Sequence, residues 1–168
     1  FKMSYISLKS GTDIRGVASP LGGKEVNLTD GAVYDITAAF VSWYINKYDK
    51  DPSKLTISVG RDSRITGEKI AKQVISALIN AGISVIDCGL CSTPAMFMTT
   101  VDLKADAAIQ ITASHHPFDR NGLKFFTPAG GLDSPDITEI VKLADKGEEI
   151  ICNRAGVTVK LNYMVKYA

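Results

Sequence analysis

The chain has 168 residues, a formal net charge of +1, 45% hydrophobic and 22% charged residues. That is enough for one packed core in the usual range of about 100–150 residues per domain, with the composition of an ordinary globular protein. A charge this close to zero gives no electrostatic case for nucleic acid or an acidic membrane surface as partner, and no apolar run approaches the roughly 20 residues of a membrane span.

The first ten residues, F-K-M-S-Y-I-S-L-K-S, lack the long apolar core of a signal peptide, and the chain begins without Met, as a trimmed piece would. Three cysteines cannot all pair with one another, which argues against an oxidising compartment. The expected location is cytoplasmic.

Lys9–Gly16 reads as a short Gly-bounded loop, in which Arg15 can reach a phosphate bidentately or simply pair with Asp13. Val17–Asn27, with Pro20 and Gly22-Gly23, is expected to be a surface loop. Thr29 or Asp30 can cap a helix over Gly31–Tyr48. Ala32, Ile36, Ala39, Phe40, Trp43 and Tyr44 recur in it at three- and four-residue intervals, which marks one buried face. Asp49–Lys54 breaks it around Pro52.

Leu55–Val59 is a β-branched buried strand. It ends in Gly60-Arg61-Asp62-Ser63-Arg64, ahead of a helix over Gly67–Ala81 closed by Gly82. A strand, a polar Gly-containing loop and a helix suit a phosphate-binding corner, although the loop has neither the spacing nor the Lys of a Walker motif. Asp62 can pair with Arg61 or Arg64 and brace the loop.

Ile83–Asp87 is the next strand. Cys88-Gly-Leu-Cys91 has no second C-x-x-C and no His pair at zinc spacing, so the two thiols read as small side chains at a strand end. Thr93-Pro94 starts a helix through Val101, and Ala105–Thr112 is a strand. The Asn121-Gly122 pair is a turn signal, and Leu123–Thr127 is a strand. After the turn at 128–131, Ser134-Pro135 leads into a helix over Asp136–Lys146. Val157–Leu161 can form a strand, and Tyr163–Tyr167 is too short to assign. No repeat or low-complexity tract occurs. Alternating strands and helices predict a layered α/β domain, and the short hop from Ile111 to Leu123 predicts an antiparallel pair within a mixed sheet.

The polar cluster T-A-S-H-H-P-F-D-R-N-G-L-K-F-F, Thr112–Phe126, sits between two apolar strands, where a scaffold commonly displays working residues. Ser114 can act as a nucleophile or carry a phosphoryl group, which adds nearly two negative charges. His115, His116, Arg120 and Lys124 supply the donors such a group needs. A hydrolase triad fits poorly: side chains at successive extended positions point to opposite faces, and no G-x-S-x-G elbow surrounds Ser114. The alternative is a solvated polar loop.

T-A-S-H-H-P followed by N-G-L-K resembles the phosphoserine loop of the α-D-phosphohexomutases, the phosphoglucomutase/phosphomannomutase superfamily, whose usual form is T-A-S-H-N-P. G-T-D-I-R-G at Gly11–Gly16 and V-G-R-D-S-R at Val59–Arg64 resemble two further family motifs in the same order. The resemblance spans Ser10–Ala144 and corresponds to the first of four domains. It implies a phosphoserine domain over residues 1–150, with 151–168 a linker or the start of the next domain. The implied fold is a layered α/β domain with a mixed, mostly parallel sheet flanked by helices.

The implied activity interconverts hexose 1-phosphate and hexose 6-phosphate through phosphorylated Ser114 and a bisphosphate intermediate. Ser114, His115, Lys124 and Arg15 would be catalytic, and Arg61, His116 and Asn121 would bind substrate or phosphate. One Mg²⁺ would be held through the phosphate on Ser114, with its other ligands from a domain outside this chain. Hexose 1,6-bisphosphate would act as activator, and hexose phosphates and the later domains of the same chain would be the partners.

His116 departs from the family pattern by standing where Asn is usual, and imidazole titrates near neutral pH. The family's acidic metal triplet D-x-D-x-D does not occur in the chain, so the chain alone is expected to be inactive. Thr at the head of the loop resembles the glucose/mannose branch more than the glucosamine branch, where Ser is usual. The competing expectation is a non-catalytic sugar-phosphate-binding or regulatory module derived from the same family.

Overall fold

The computed structural model describes residues 4–164. Its strands are β1 (Lys9–Ser10), β2 (Asp13–Val17), β3 (Thr56–Arg61), β4 (Ser84–Leu90), β5 (Ala107–Ile111), β6 (Arg120–Thr127), β7 (Gly130–Gly131) and β8 (Thr158–Lys160). The helices are α1 (Asp30–Tyr48), α2 (Gly67–Asn80), α3 (Thr93–Asp102) and α4 (Ser134–Asp145). The strands form one sheet in the order β1-β2-β6-β5-β3-β4-β8, with β7 paired to the far end of β6.

The β5–β3–β4–β8 half is parallel throughout. β6 runs against β5, and β2 runs against β6, so β2 points the same way as the parallel half. The sheet is mixed, with most strands sharing one direction. The predicted antiparallel return from Ile111 is the β5–β6 pair, in which Ile111 faces Leu123.

Alternation along β6 divides the core in two, because successive strand residues face opposite sides. Phe125 stacks on Phe40 of α1 with ring centroids 4.5 Å apart, on the side covered by α1, α2 and α4. Phe126 turns to the other side, where it meets Phe97 of α3 at 5.8 Å. Thr29 caps α1 by accepting from the Ala32 amide at 3.1 Å.

The single buried face expected for α1 is wider than the periodicity indicates: every residue of the stretch Ile36–Tyr44 is buried, Thr37, Ala38, Val41 and Ser42 included. The helix is enclosed by the sheet below and by α2 and α4 on its flanks, so an apolar stripe is not required to be narrow. Trp43 lies in this core, with its indole N–H donating to Glu139 at 3.2 Å.

Three local expectations are corrected. Lys9–Gly16 is a β-hairpin, with Lys9 opposite Ile14, and not an open loop. Asn121-Gly122 lies inside β6, paired with Gly16 and Arg15, and makes no turn. The cap of α3 is Ser92, which accepts from the Ala95 amide at 3.3 Å, with Thr93 already helical. The strand expected at Val157–Leu161 is β8, which extends the sheet edge beside β4. The unassigned Tyr163–Tyr167 stretch lies partly outside the described residues. Among the described residues no helix is long and apolar enough to cross a membrane.

Candidate active site

β5 delivers the chain to Ser114 through two buried residues, Thr112 and Ala113. The Thr112 hydroxyl accepts from the Ser114 amide at 3.0 Å, a local side-chain turn that starts the loop. Two consecutive turns follow. His116 N–H donates to Ala113 O at 2.9 Å, and Arg120 N–H donates to Pro117 O at 3.0 Å. Ser114 has φ +52°, a left-handed conformation that costs a non-glycine residue about 1 kcal/mol and persists only where the surroundings impose it. Ser114, His115 and His116 are all exposed.

The imposing group comes from the loop after β3. Arg64 Nη1 donates to Pro117 O at 2.7 Å and Arg120 O at 3.1 Å, and Nη2 donates to Ser114 O at 2.9 Å and His116 O at 2.8 Å. Asp62 backs it up: its amide bonds Ile111 O at 3.1 Å, and its carboxylate accepts from the Arg64 amide at 3.2 Å. The G-R-D-S-R stretch is therefore the mount of the serine loop.

A cationic flank stands on the β2–β6 pair. Arg15 lies opposite Gly122 in the register, so Asp13, Arg15, Gly122 and Lys124 share one face of the sheet. Asp13 bridges the two cations, taking Arg15 Nη2 at 3.0 Å on one oxygen and Lys124 Nζ at 3.1 Å on the other. Arg15 also donates to Ile14 O at 2.9 Å and is 4% exposed. Burial lowers the pKa of its guanidinium, Asp13 opposing. A Cβ on Gly122 would collide with the Ile14 carbonyl and come within 2.6 Å of Arg15 Nη1. This glycine is present for close approach, not for a turn.

The pKa of His116 is lowered, first by desolvation and then by the Arg120, Arg15 and Arg64 guanidiniums and His115. Arg15 is therefore within electrostatic reach of the serine loop. The structure thus brings together Ser114, His115 and His116 on one loop and sets Arg15 and Lys124 beside each other through Asp13.

Arg61 and Asn121 are placed elsewhere. The Arg61 side chain lies against Gly67 at the start of α2 and lines an open groove of about 740 Å³ with Lys72, Asp87 and Lys160. Asn121 is fully buried, its amide donating to the Thr66 hydroxyl at 2.9 Å and its carbonyl accepting from Gly122 N–H at 2.9 Å. Sequence reasoning did not single out Arg64, Gly122 or the shared role of Asp13. The only sequence signal for Arg64 is its place as the second Arg of G-R-D-S-R.

Among the described residues no group of three or more His, Cys, Asp or Glu is placed to hold a metal ion. The donors present do not make a cage by themselves, since Asp13 is committed to two cations. Cys88 and Cys91 are buried, and burial pushes the Cys88 thiol up to about 12.

An exposed serine at the carboxyl end of a sheet strand, its loop laced by Arg64 and within electrostatic reach of Arg15 and Arg120, is an arrangement suited to an α/β domain that handles phosphate. The chain belongs to the phosphoglucomutase/phosphomannomutase family: the model of that family's alpha/beta/alpha domain I matches residues 8–150. It is 37% identical over 152 residues to the phosphoglucosamine mutase of Leuconostoc mesenteroides, covering 89% of this chain and 32% of that protein. It is 34% identical over 170 residues to the phosphoglucosamine mutase of Leuconostoc citreum, covering 96% of this chain and 35% of that protein. The fold superposes on a phosphoglucomutase/phosphomannomutase family protein from Burkholderia thailandensis with a TM-score of 0.80 at 24% identity, over 99% of this chain and 35% of that one. The chain spans about a third of the length of these relatives.

Proposed function

We propose that this domain supplies the phosphoserine of a hexose-phosphate mutase. The observation that carries the reading is the exposed Ser114 on a loop laced by Arg64 and flanked by His115, His116 and the Asp13-linked Arg15 and Lys124. In the first half-reaction a free hydroxyl of a hexose monophosphate attacks phosphorus on Ser114. The new sugar O–P bond forms, the Ser114 O–P bond breaks, and the sugar leaves the step as a bisphosphate. After the bisphosphate turns over, Ser114 Oγ attacks its other phosphate, which regenerates the phosphoserine and releases the isomeric monophosphate.

His115 takes or returns the proton of the attacking hydroxyl in this reading. Arg15 and Lys124 offset the charge on the phosphoryl group, Asp13 holding both side chains in place while Ser114 is unphosphorylated. Mg²⁺, with its remaining ligands from later parts of the protein, would offset further negative charge during transfer. His116 stays in the proposal as a phosphate-side residue; Arg61 lies in the groove beside α2, and Asn121 acts only through the strand it anchors.

The sugar is a separate question. The relatives named phosphoglucosamine mutase make glucosamine phosphate the first substrate to test. Glucose and mannose phosphates come second, on the Thr at the head of the loop. The Thr112 hydroxyl makes a bond to the Ser114 amide that Ser could make equally, so this residue is weak ground for choosing a sugar.

The test is peptide-mapped mass spectrometry of the complete protein after exposure to hexose 1,6-bisphosphate with Mg²⁺. One phosphate on the Ser114 peptide, lost when a hexose monophosphate is supplied, is the expected result, and Ser114→Ala should lower turnover at least about a thousandfold. Binding of the bisphosphate with no phosphate transferred to Ser114 would instead favour a non-catalytic sugar-phosphate module. The isolated 168-residue chain should show no turnover.

A further inference from the structure

The serine loop owes its shape to a residue fifty positions upstream. All four N–H bonds on the two terminal nitrogens of Arg64 are used, on the carbonyls of Ser114, His116, Pro117 and Arg120. With those donors consumed inside the protein, only Nε–H is left, and it lies 3.9 Å from the Asp62 carboxylate. Its action runs through the backbone it holds.

That backbone has a direction. No peptide bond among the described residues is cis, and in a trans peptide the N–H points opposite to the C=O. Drawing the Ser114 carbonyl toward Arg64 therefore turns the His115 N–H away from it, to the exposed side where Ser114 and His115 stand. Drawing in the Pro117 carbonyl turns the Phe118 N–H outward in the same way. Among the described residues neither amide donates to a protein acceptor. Outward backbone N–H groups beside a phosphoryl carrier are anion donors that need no reorganisation at the moment of transfer.

We propose that Arg64 is a positioning residue for phosphoryl transfer: it locks the two turns of the serine loop so that Ser114 and the His115 N–H meet the transferring group in a fixed geometry. This rests on the reading of Ser114 as the phosphoryl carrier. Asp62 is its support, holding the Arg64 amide at 3.2 Å and lying 3.9 Å from Nε. Lysine cannot replace it, since an ammonium has three donors around a point and cannot span four carbonyls.

The experiment uses the complete protein as wild type, Arg64→Lys and Arg64→Ala. Each is assayed for phosphate on Ser114 after treatment with hexose 1,6-bisphosphate and Mg²⁺, for kcat and KM with a hexose monophosphate, and for amide hydrogen exchange of the 112–121 peptide against an α1 peptide. In Arg64→Lys we expect kcat to fall roughly a hundredfold with KM within about twofold. Exchange should quicken in 112–121 and stay unchanged in α1. Arg64→Ala should lose at least as much; if it does not fold, the Lys variant carries the test.

Phosphate on wild-type Ser114 together with kcat within about twofold of wild type in Arg64→Lys overturns the proposal alone. So does a loss of kcat with loop exchange unchanged, or a loss confined to KM. A wild-type protein that takes no phosphate on Ser114 sinks the reading beneath it, and the proposal with it.

Discussion

Two connections leave the sheet from strands that flank β3, and both carry a potential nucleophile. After β5, the Ser114 loop is exposed and has guanidinium and imidazole groups around it. At the end of β4, Cys88 and Cys91 are buried among Ala95, Met96, Phe126 and Tyr163. Burial pushes both thiols up, that of Cys88 to about 12. Thiol is intrinsically the more reactive group, yet only the serine side has charge to stabilise an anion. The difference is made by the neighbours: one connection is drawn over the edge of the sheet by Arg64, and the other is packed beneath α3.

The sharpest way to break the comparison is at the two glycines behind these connections. Gly122→Ala would drive a Cβ into the Ile14 backbone carbonyl and to 2.6 Å from Arg15 Nη1, neither of which has room to retreat. We expect a loss of about 3 kcal/mol in urea unfolding. Gly60→Ala meets mostly the Met96 side chain, whose Cγ would lie 3.0 Å away. Methionine is unbranched and adaptable, so the expected loss is about 1 kcal/mol. Equal losses would mean that the β2–β6 side is no more rigid than the α3 side.

The thiols sharpen it next. With a pKa of about 12, Cys88 is about one part in ten thousand thiolate at pH 8, and only the thiolate is nucleophilic. Alkylation by iodoacetamide, read by peptide mass spectrometry, should be at least about a hundredfold slower at Cys88 in the folded protein than in urea. Rapid labelling of the folded protein would show that the cluster around α3 opens readily.

Much of this was legible in the sequence, and the exceptions share a cause. β3, β5, α2 and the antiparallel return to β6 follow from local pattern, because alternation, caps and short connections are read within a few residues. The serine loop stood out for the same reason. Asn121-Gly122 reads as a turn by its own preferences, while the β2–β6 pairing needs a glycine for the passage of Arg15. The strand character of Asp13–Val17 is hidden in the same way, because its partner β6 lies about a hundred residues on. Arg64 was the largest omission: its acceptors lie 50–56 positions away, and spacing alone cannot identify which backbone a guanidinium will lace.

The smallest expected effect belongs to His116, and its sign follows from its surroundings. Its pKa is lowered in the folded chain by desolvation and by Arg120, Arg15 and Arg64, while an unfolded His titrates near about 6.5. Between the two values the unfolded chain binds more protons, so stability is full above about pH 6.5 and declines as pH falls through the folded value. His116→Asn removes this decline, and its thermal midpoint should fall less than that of the wild type between pH 7 and pH 5. The side chain is exposed, so solvent screens the effect and the difference should be slight. Phosphate on Ser114 would act in the opposite sense, since a nearby anion favours the imidazolium. The chain has two histidines, both in this loop, so two imidazole resonances followed through a pH titration, with His116→Asn to assign them, report on the site directly. An upward move of the His116 midpoint on phosphorylation is the expected outcome; no move would mean that the phosphate is held on the far side of Ser114, away from the guanidinium cluster.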